Sequence, residues 1–204
     1  MLYNAPMKMS IGIDEVGRGP VAGPVTVGAF QIKKSKIKIK NWETRIGIPL
    51  RDSKKLSKRQ RELWFVEIQK WKNEGLCDFA VTSISAREID RIGISKAIRK
   101  ALEQSLSALR PQKDDSIFLD GGLKAPISFK NQKTIIKGDE KEPIIALASI
   151  VAKVTRDRYM LIQSKKYPAY SFETNVGYGT KEQYRAIKKY GLTPLHRKTY
   201  LKNL

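Results

Sequence analysis

The run Ile11-Gly12-Ile13-Asp14-Glu15-Val16-Gly17-Arg18-Gly19-Pro20 sets two adjacent carboxylates where an apolar strand must stop. Ile11 to Ile13 reads as a short buried strand. Gly17 and Gly19 admit backbone conformations that other residues avoid, and they let a ligand come close to the main chain. Pro20 cannot continue a central strand. Open α/β sheets bind ligands at such strand ends, so Asp14 and Glu15 are candidate site residues. The competing reading, a polar hairpin with solvated acids, weakens as more acids of the same layout appear.

Working outward, Ser116-Ile117-Phe118-Leu119-Asp120 repeats that layout: a short apolar strand, a carboxylate, then Gly121-Gly122. Residues 8–14 and 24–33 read as a hairpin pair of strands, with further strands at 77–83 and 127–136. Ser57 with Gln60 caps a helix to about Asn73 that buries Leu63, Trp64, Ile68 and Trp71. Ser85 with Glu88 reads as a capping box, opening a helix to about Leu109 with Ile89, Ile92, Ile98, Leu102, Leu106 and Leu109 inward. A third helix runs from about Glu142 to Lys165, and its Ile144–Val154 part is apolar nearly all round, hence buried. Thr180 caps a last helix to about Tyr190, stopped by Gly191. Residues 41–56 and 166–176 read as loops and Gly138-Asp139 as a turn. Without repeat or linker, 1–204 reads as a single domain whose C-terminal part, from about 166, is helical.

Forty Lys and Arg face twenty Asp and Glu in 204 residues, a formal net charge of +20. Such a surplus points to a polyanionic partner, nucleic acid before membrane surface. Half of it lies between Lys33 and Arg61, with twelve basic and two acidic residues. Within that segment the alternating Lys36-Ile37-Lys38-Ile39-Lys40 suits a charged sheet edge as well as a phosphate contact. No apolar run is long enough to span a bilayer, the N-terminus lacks a secretory core, and Cys77 is the only cysteine and reads as a small buried hydrophobe. These features lead us to expect a cytoplasmic protein.

On the buried helix, Ser149, Lys153 and Asp157 stand four apart and form its one polar stripe, which can face the strand ends. Asp14, Glu15, Asp120 and Asp157 are therefore the candidate catalytic acids. Hard divalent cations take oxygen ligands, and two such ions can hold the attacking water and the leaving oxygen of a phosphodiester. With His196 the only histidine, a His-rich zinc site is excluded. No Walker-type loop is present, which argues against nucleoside triphosphate hydrolysis.

Asp14-Glu15-Val16-Gly17-Arg18-Gly19-Pro20 resembles the signature of the ribonuclease HII family, the type 2 ribonucleases H. The likeness continues in the family's order through Asp52-Ser53-Lys54-Lys55-Leu56, Leu119-Asp120-Gly121, Lys137-Gly138-Asp139, Ala148–Asp157, Gly177-Tyr178-Gly179-Thr180 and His196-Arg197. It implies an α/β ribonuclease H-like fold, a five-stranded mixed sheet flanked by helices. It implies a two-metal site for Mg²⁺ or Mn²⁺ on the four acids. The implied activity is endonucleolytic cleavage of the RNA strand of RNA–DNA hybrids and 5′ of ribonucleotides embedded in duplex DNA, leaving 3′-hydroxyl and 5′-phosphate ends, with a place in ribonucleotide excision repair. Gly17, Arg18 and Gly19 would contact the ribonucleotide and its 2′-hydroxyl largely through backbone, Tyr178 would stack on the following deoxyribose, and Lys54, Ser149 and Lys153 are further expected substrate contacts. The expected state is a monomer without membrane association. The family's usual His-Lys before Gly-Tyr is Asn175-Val176 here, and its usual histidine two residues beyond Lys181 is Gln183. A non-catalytic basic nucleic-acid-binding module is the alternative. Ribonuclease HIII fits less well, since that family carries an added N-terminal domain and only thirteen residues precede Asp14.

Overall fold

The computed structural model describes residues 8–33 and 46–202; the Lys36–Lys40 alternation lies outside the described residues. The strands are β1 (Met9–Val16), β2 (Val25–Lys33), β3 (Cys77–Ile84), β4 (Ser116–Asp120) and β5 (Gln132–Ile135). They form one mixed sheet in the order β3-β2-β1-β4-β5. β1 and β3 flank β2 antiparallel, while β4 runs parallel to β1 and β5 parallel to β4. The helices are α1 (Lys58–Asn73), α2 (Ala86–Ile92), α3 (Ile94–Leu109), α4 (Gly138–Lys141), α5 (Pro143–Lys166), α6 (Phe172–Asn175) and α7 (Lys181–Tyr190). None of the described helices is long and apolar enough to cross a membrane.

Strand alternation sends Ile11 and Ile13 to one face, where they join Val25, Val27 and Ala29 against Ala97, Ala101 and Leu102 of α3. On the other face Phe30 and Ile32 pack with Trp64 and Trp71 of α1 and with Ile145 and Ile150 of α5. Two strand glycines bring α5 this close. A Cβ on Gly12 would strike the carbonyl of Ile144, and one on Gly28 would strike that of Ala148. Asp14 lies two residues beyond Gly12 and so shares its face, beneath α5. A third cluster joins Val21 and Ala22 to Met160 on α5 and to Phe172, Ala186 and Ile187 of the C-terminal part. The turn after β1 is thereby backed by the end of the chain.

Several expectations change in detail. Leu63 is 45% exposed, because the buried stripe of α1 is Trp64, Ile68 and Trp71, with Phe65 beside it. The helix expected over 85–109 breaks at Gly93, whose φ of 81° ends α2 and starts α3. Ser85 does cap α2, but the Glu88 carboxylate pairs with Lys100 (2.7 Å) and Arg91 (3.2 Å) instead of reaching back. The last strand is confined to Gln132–Ile135, Gly138-Asp139 opens the one-turn α4, and the loop expected after α5 contains a 3₁₀ turn (Pro168–Tyr170) and α6. Cys77 is buried, and burial pushes its thiol up to about 12.

Candidate metal centre and substrate face

Three acids converge at the carboxyl ends of adjacent strands. Parallel pairing sets Ile13 beside Leu119, so Asp14 and Asp120, the next residues on β1 and β4, reach the same end. β5 pairs Ile135 with Asp120, and the chain then turns so that Gly138 N–H donates to Asp120 Oδ1 at 2.6 Å. Asp139 follows at once. One carboxylate oxygen from each of Asp14, Asp120 and Asp139 lies within 4.8 Å of the others. Hard oxygen donors at this spacing fit a divalent cation such as Mg²⁺ or Mn²⁺. Glu15, next to Asp14 at the end of β1, is near enough to Asp14 and Asp120 for their charges to interact, and its carboxylate accepts from Arg18 at 3.4 Å.

The electrostatics ask for such a cation. Burial, then the neighbouring Glu15 and Asp120, pushes Asp14 well above the usual carboxylate range, opposed by a hydrogen bond from Ser149. Burial raises Glu15 as well, with Arg18 opposing and Asp120 assisting. Asp139 is raised by burial, Asp52 and Asp120, against the pull of Lys54. Lys54, 3.8 Å from Asp139, stays charged: burial would lower it, but Asp52, Asp14, Asp139 and Asp120 together outweigh that and raise it. Packed acids of this kind hold protons unless a positive charge compensates them.

Asp157 is engaged elsewhere. Its carboxylate takes Lys153 Nζ at 2.8 Å and Arg61 Nη2 at 3.6 Å, and Arg61 also donates to the carbonyls of Ser53 and Leu56. It does not join the Asp14–Asp120–Asp139 group. Ser149 is buried, and its hydroxyl meets Ser53 Oγ at 2.8 Å as well as Asp14, so it braces the acid from behind. Lys153 is committed to Asp157. Asp139, part of a Gly138-Asp139 turn in the sequence, is the acid that sequence spacing alone does not single out; the chain leaving β5 delivers it to the group.

The turn after β1 forms the open side. Gly17 has a φ of 83°, and a Cβ there would run into Arg156 and into Pro24 O at 2.7 Å. Arg18 and Gly19 are exposed. Tyr178 is 45% exposed, and its Cε1 lies 4.0 Å from where a Cβ of Gly19 would be. The departures at 175 and 183 fall together beneath this turn. Asn175 Oδ1 accepts Gly177 N–H at 2.8 Å, Asn175 meets Gln183 at 3.4 Å, and Gln183 meets the buried His196 at 3.3 Å. His196 also takes the Thr193 N–H on Nδ1 at 2.8 Å and packs on Tyr170 and Phe172, a core role outside the chemistry.

A mixed five-stranded sheet whose adjacent strand ends gather buried carboxylates defines a ribonuclease H-like protein. The family model described as Ribonuclease HII matches residues 11–203. The chain belongs to the ribonuclease HII family. It is 41% identical over 203 residues to the Ribonuclease HII of Caldicellulosiruptor bescii, covering 100% of this chain and 91% of that protein. It is 42% identical to that of Endomicrobium trichonymphae, covering 97% and 88%. Among solved structures, the complex of PCNA with RNase HII from Archaeoglobus fulgidus matches with a TM-score of 0.72 at 25% identity over 93% of both chains. Ribonuclease H2 from Pyrococcus horikoshii OT3 matches at 0.69 and 28% identity, covering 94% and 93%.

Proposed function

We propose that this protein is a metal-dependent endoribonuclease that hydrolyses the RNA strand of RNA–DNA hybrids and cuts 5′ of ribonucleotides embedded in duplex DNA, leaving 3′-hydroxyl and 5′-phosphate ends. The observation that carries the reading is the convergence of Asp14, Asp120 and Asp139 at adjoining strand ends, in a chain of this family with a net charge of +20. A non-catalytic nucleic-acid module would gain nothing from buried acids that repel phosphate.

Asp14, Asp120 and Asp139, with Glu15 at the rim, would hold Mg²⁺ or Mn²⁺, at two positions if the site is filled as in two-metal nucleases. When bound, the ions supply Lewis-acid activation of water and charge for the phosphate. Asp14, backed by Ser149, is set at the centre of the acids. Glu15 and Arg18 restrain one another at the border between acids and substrate turn. Asp157, expected from sequence to be the fourth ligand, instead fixes Lys153 and Arg61 behind the centre, and we assign the fourth place to Asp139. Lys54 extends its ammonium toward the acids and can meet the scissile strand's phosphate. Gly17, Arg18 and Gly19 present backbone to the ribose, where the 2′-hydroxyl is the local mark of RNA, and Tyr178 stacks on the next sugar. The enzyme would work as a monomer in the cytoplasm.

The test is cleavage of a duplex carrying one ribonucleotide, beside an all-DNA control, in Mg²⁺ and then Mn²⁺. A single cut 5′ of the ribonucleotide, abolished by chelation, is expected. Equal cutting of the control, or none of either, overturns the reading.

A further inference from the structure

Two arginines lie buried beneath the substrate turn, and the acids nearest in charge, Asp157 for Arg156 and Asp90 for Arg197, act on them only at longer range. Arg156, on α5, and Arg197, near the C-terminus, are 1% and 0% exposed. Among the described residues neither forms an ion pair with a carboxylate. An unpaired buried charge is costly, so each guanidinium must be satisfied by other means. Arg197 donates to Gly17 O at 2.6 Å, Arg18 O at 3.0 Å and Gly23 O at 3.0 Å. Arg156 donates to Pro24 O at 2.9 Å, Ala22 O at 3.2 Å and Val176 O at 2.9 Å. Tyr200 adds its hydroxyl to Arg18 O at 3.0 Å and lies under the Arg197 guanidinium at 5.1 Å.

The direction of these bonds matters. In a trans peptide the C=O of one residue and the N–H of the next point opposite ways, and the described chain has no cis bond. Holding the carbonyls of Gly17 and Arg18 inward therefore turns the N–H groups of Arg18 and Gly19 outward. Both residues are exposed, and neither N–H donates to another described residue. Arg156 meanwhile ties the same segment to Val176, two residues before Tyr178, and Ala22 N–H reinforces the tie by donating to Gly177 O at 3.0 Å. The sugar-facing turn and the stacking tyrosine thus rest on one buried frame.

We propose that Arg197 and Arg156 are positioning residues for ribonucleotide recognition: Arg197 aims the Arg18 and Gly19 N–H groups at the ribose and its phosphate, and Arg156 fixes the distance between that turn and Tyr178. The inference rests on the proposed function. A guanidinium offers five donors in a planar fork, whereas the ammonium of lysine is a single nitrogen. Arg197→Lys and Arg156→Lys therefore keep the charge and the buried stem, but carry their N–H groups on one nitrogen and cannot span carbonyls that each fork meets from Nε and both Nη atoms.

The experiment measures kcat and KM on a duplex with one embedded ribonucleotide, with thermal melting of the same preparations. For the folded Lys variants kcat should fall on the order of 100-fold, because a phosphate displaced by about an ångström reacts that much more slowly. KM, set by surface cations, should move less than roughly threefold. Tyr200→Phe keeps both arginines and the ring and removes one bond to Arg18 O; it should melt like wild type and still lose roughly threefold in kcat. Variants with lowered melting temperature but wild-type kcat in the folded fraction, together with full kcat in Tyr200→Phe, would show that the arginines merely support the fold and overturn the inference. Wild-type cleavage in the same assay separates the two claims, since its absence would overturn the proposed function itself.

Discussion

Asp120 Oδ1 accepts the Gly138 N–H at 2.6 Å, and this bond joins the end of β4 to the start of α4. It sets Asp139 beside Asp120 and makes Asp120 both a metal ligand and an anchor in the proposed centre. Asp120→Asn keeps an oxygen acceptor but loses the charge, so cleavage should drop by about a thousandfold with little change in melting. Asp120→Ala should be equally inactive and in addition less stable by about 2 kcal/mol, the scale of a hydrogen bond to a charged group. Equal melting temperatures for the two variants would contradict the anchoring role.

The raised acids give metal and pH a linked effect. Asp14, Glu15 and Asp139 have folded-state pKa values above their ordinary ones, chiefly through burial. In metal-free protein their contribution to stability is complete below the ordinary carboxylate range and is lost as pH rises through the raised values. Cation binding needs the deprotonated forms and so releases protons. The rise in melting temperature on adding Mg²⁺ should therefore widen from pH 5.5 to pH 8. Asp14→Asn should abolish cleavage, leave hybrid binding largely intact, and flatten that pH dependence. A Mg²⁺ effect that is constant across the range would count against a proton-linked site.

Lys54 and Lys55 have side chains 69% and 50% exposed, and the second pairs with Glu140 at 3.0 Å. Surface pairs of this kind contribute little to stability, so both ammonium groups are available to phosphate. Each replacement by Gln should lower the salt slope of duplex binding by about one unit, alike for hybrid and DNA. An unchanged slope would mean that these charges are only solvated.

Much of this architecture was legible because local signals and burial agreed. The apolar run 11–13, the Ser57 cap and the all-apolar face of 144–154 each specify an element whatever surrounds it. The acids were harder. Asp157 shares a helical stripe with Ser149 and Lys153, which suggested a ligand, but helical spacing cannot reveal that Lys153 and Arg61 would reach its carboxylate. Asp139 was hidden because Gly138-Asp139 reads as an ordinary turn, and only the pairing of β5 with β4 carries that turn to Asp120. Gly12 and Gly28 gave no hint of the helix pressing on them, since close approach is a tertiary fact. Neither Arg156 nor Arg197 could be told from the other thirty-eight basic residues by composition.

Tyr178 lies against Gly19 with nearly half its surface open. Aromatic stacking on a base contributes about 1–3 kcal/mol, and contact with a sugar should fall near the low end. Tyr178→Ala should cut activity on a single-ribonucleotide duplex by more than about tenfold, and less on a continuous RNA strand, where no RNA–DNA junction follows the cut. Tyr178→Phe should keep most of the activity. Equal losses on both substrates would remove the junction-reading role.

The central claim is that Asp14, Glu15, Asp120 and Asp139 hold the metal while Asp157 only orients Lys153 and Arg61. Calorimetric titration of Mn²⁺ into wild type, Asp139→Asn and Asp157→Asn tests it without recourse to catalysis. Asp139→Asn should weaken Mn²⁺ binding by about tenfold or more. Asp157→Asn should leave the affinity within roughly threefold while lowering stability by about 3 kcal/mol, because Lys153 and Arg61 lose a buried partner. Wild-type Mn²⁺ affinity in Asp139→Asn, with binding lost in Asp157→Asn, would contradict the account.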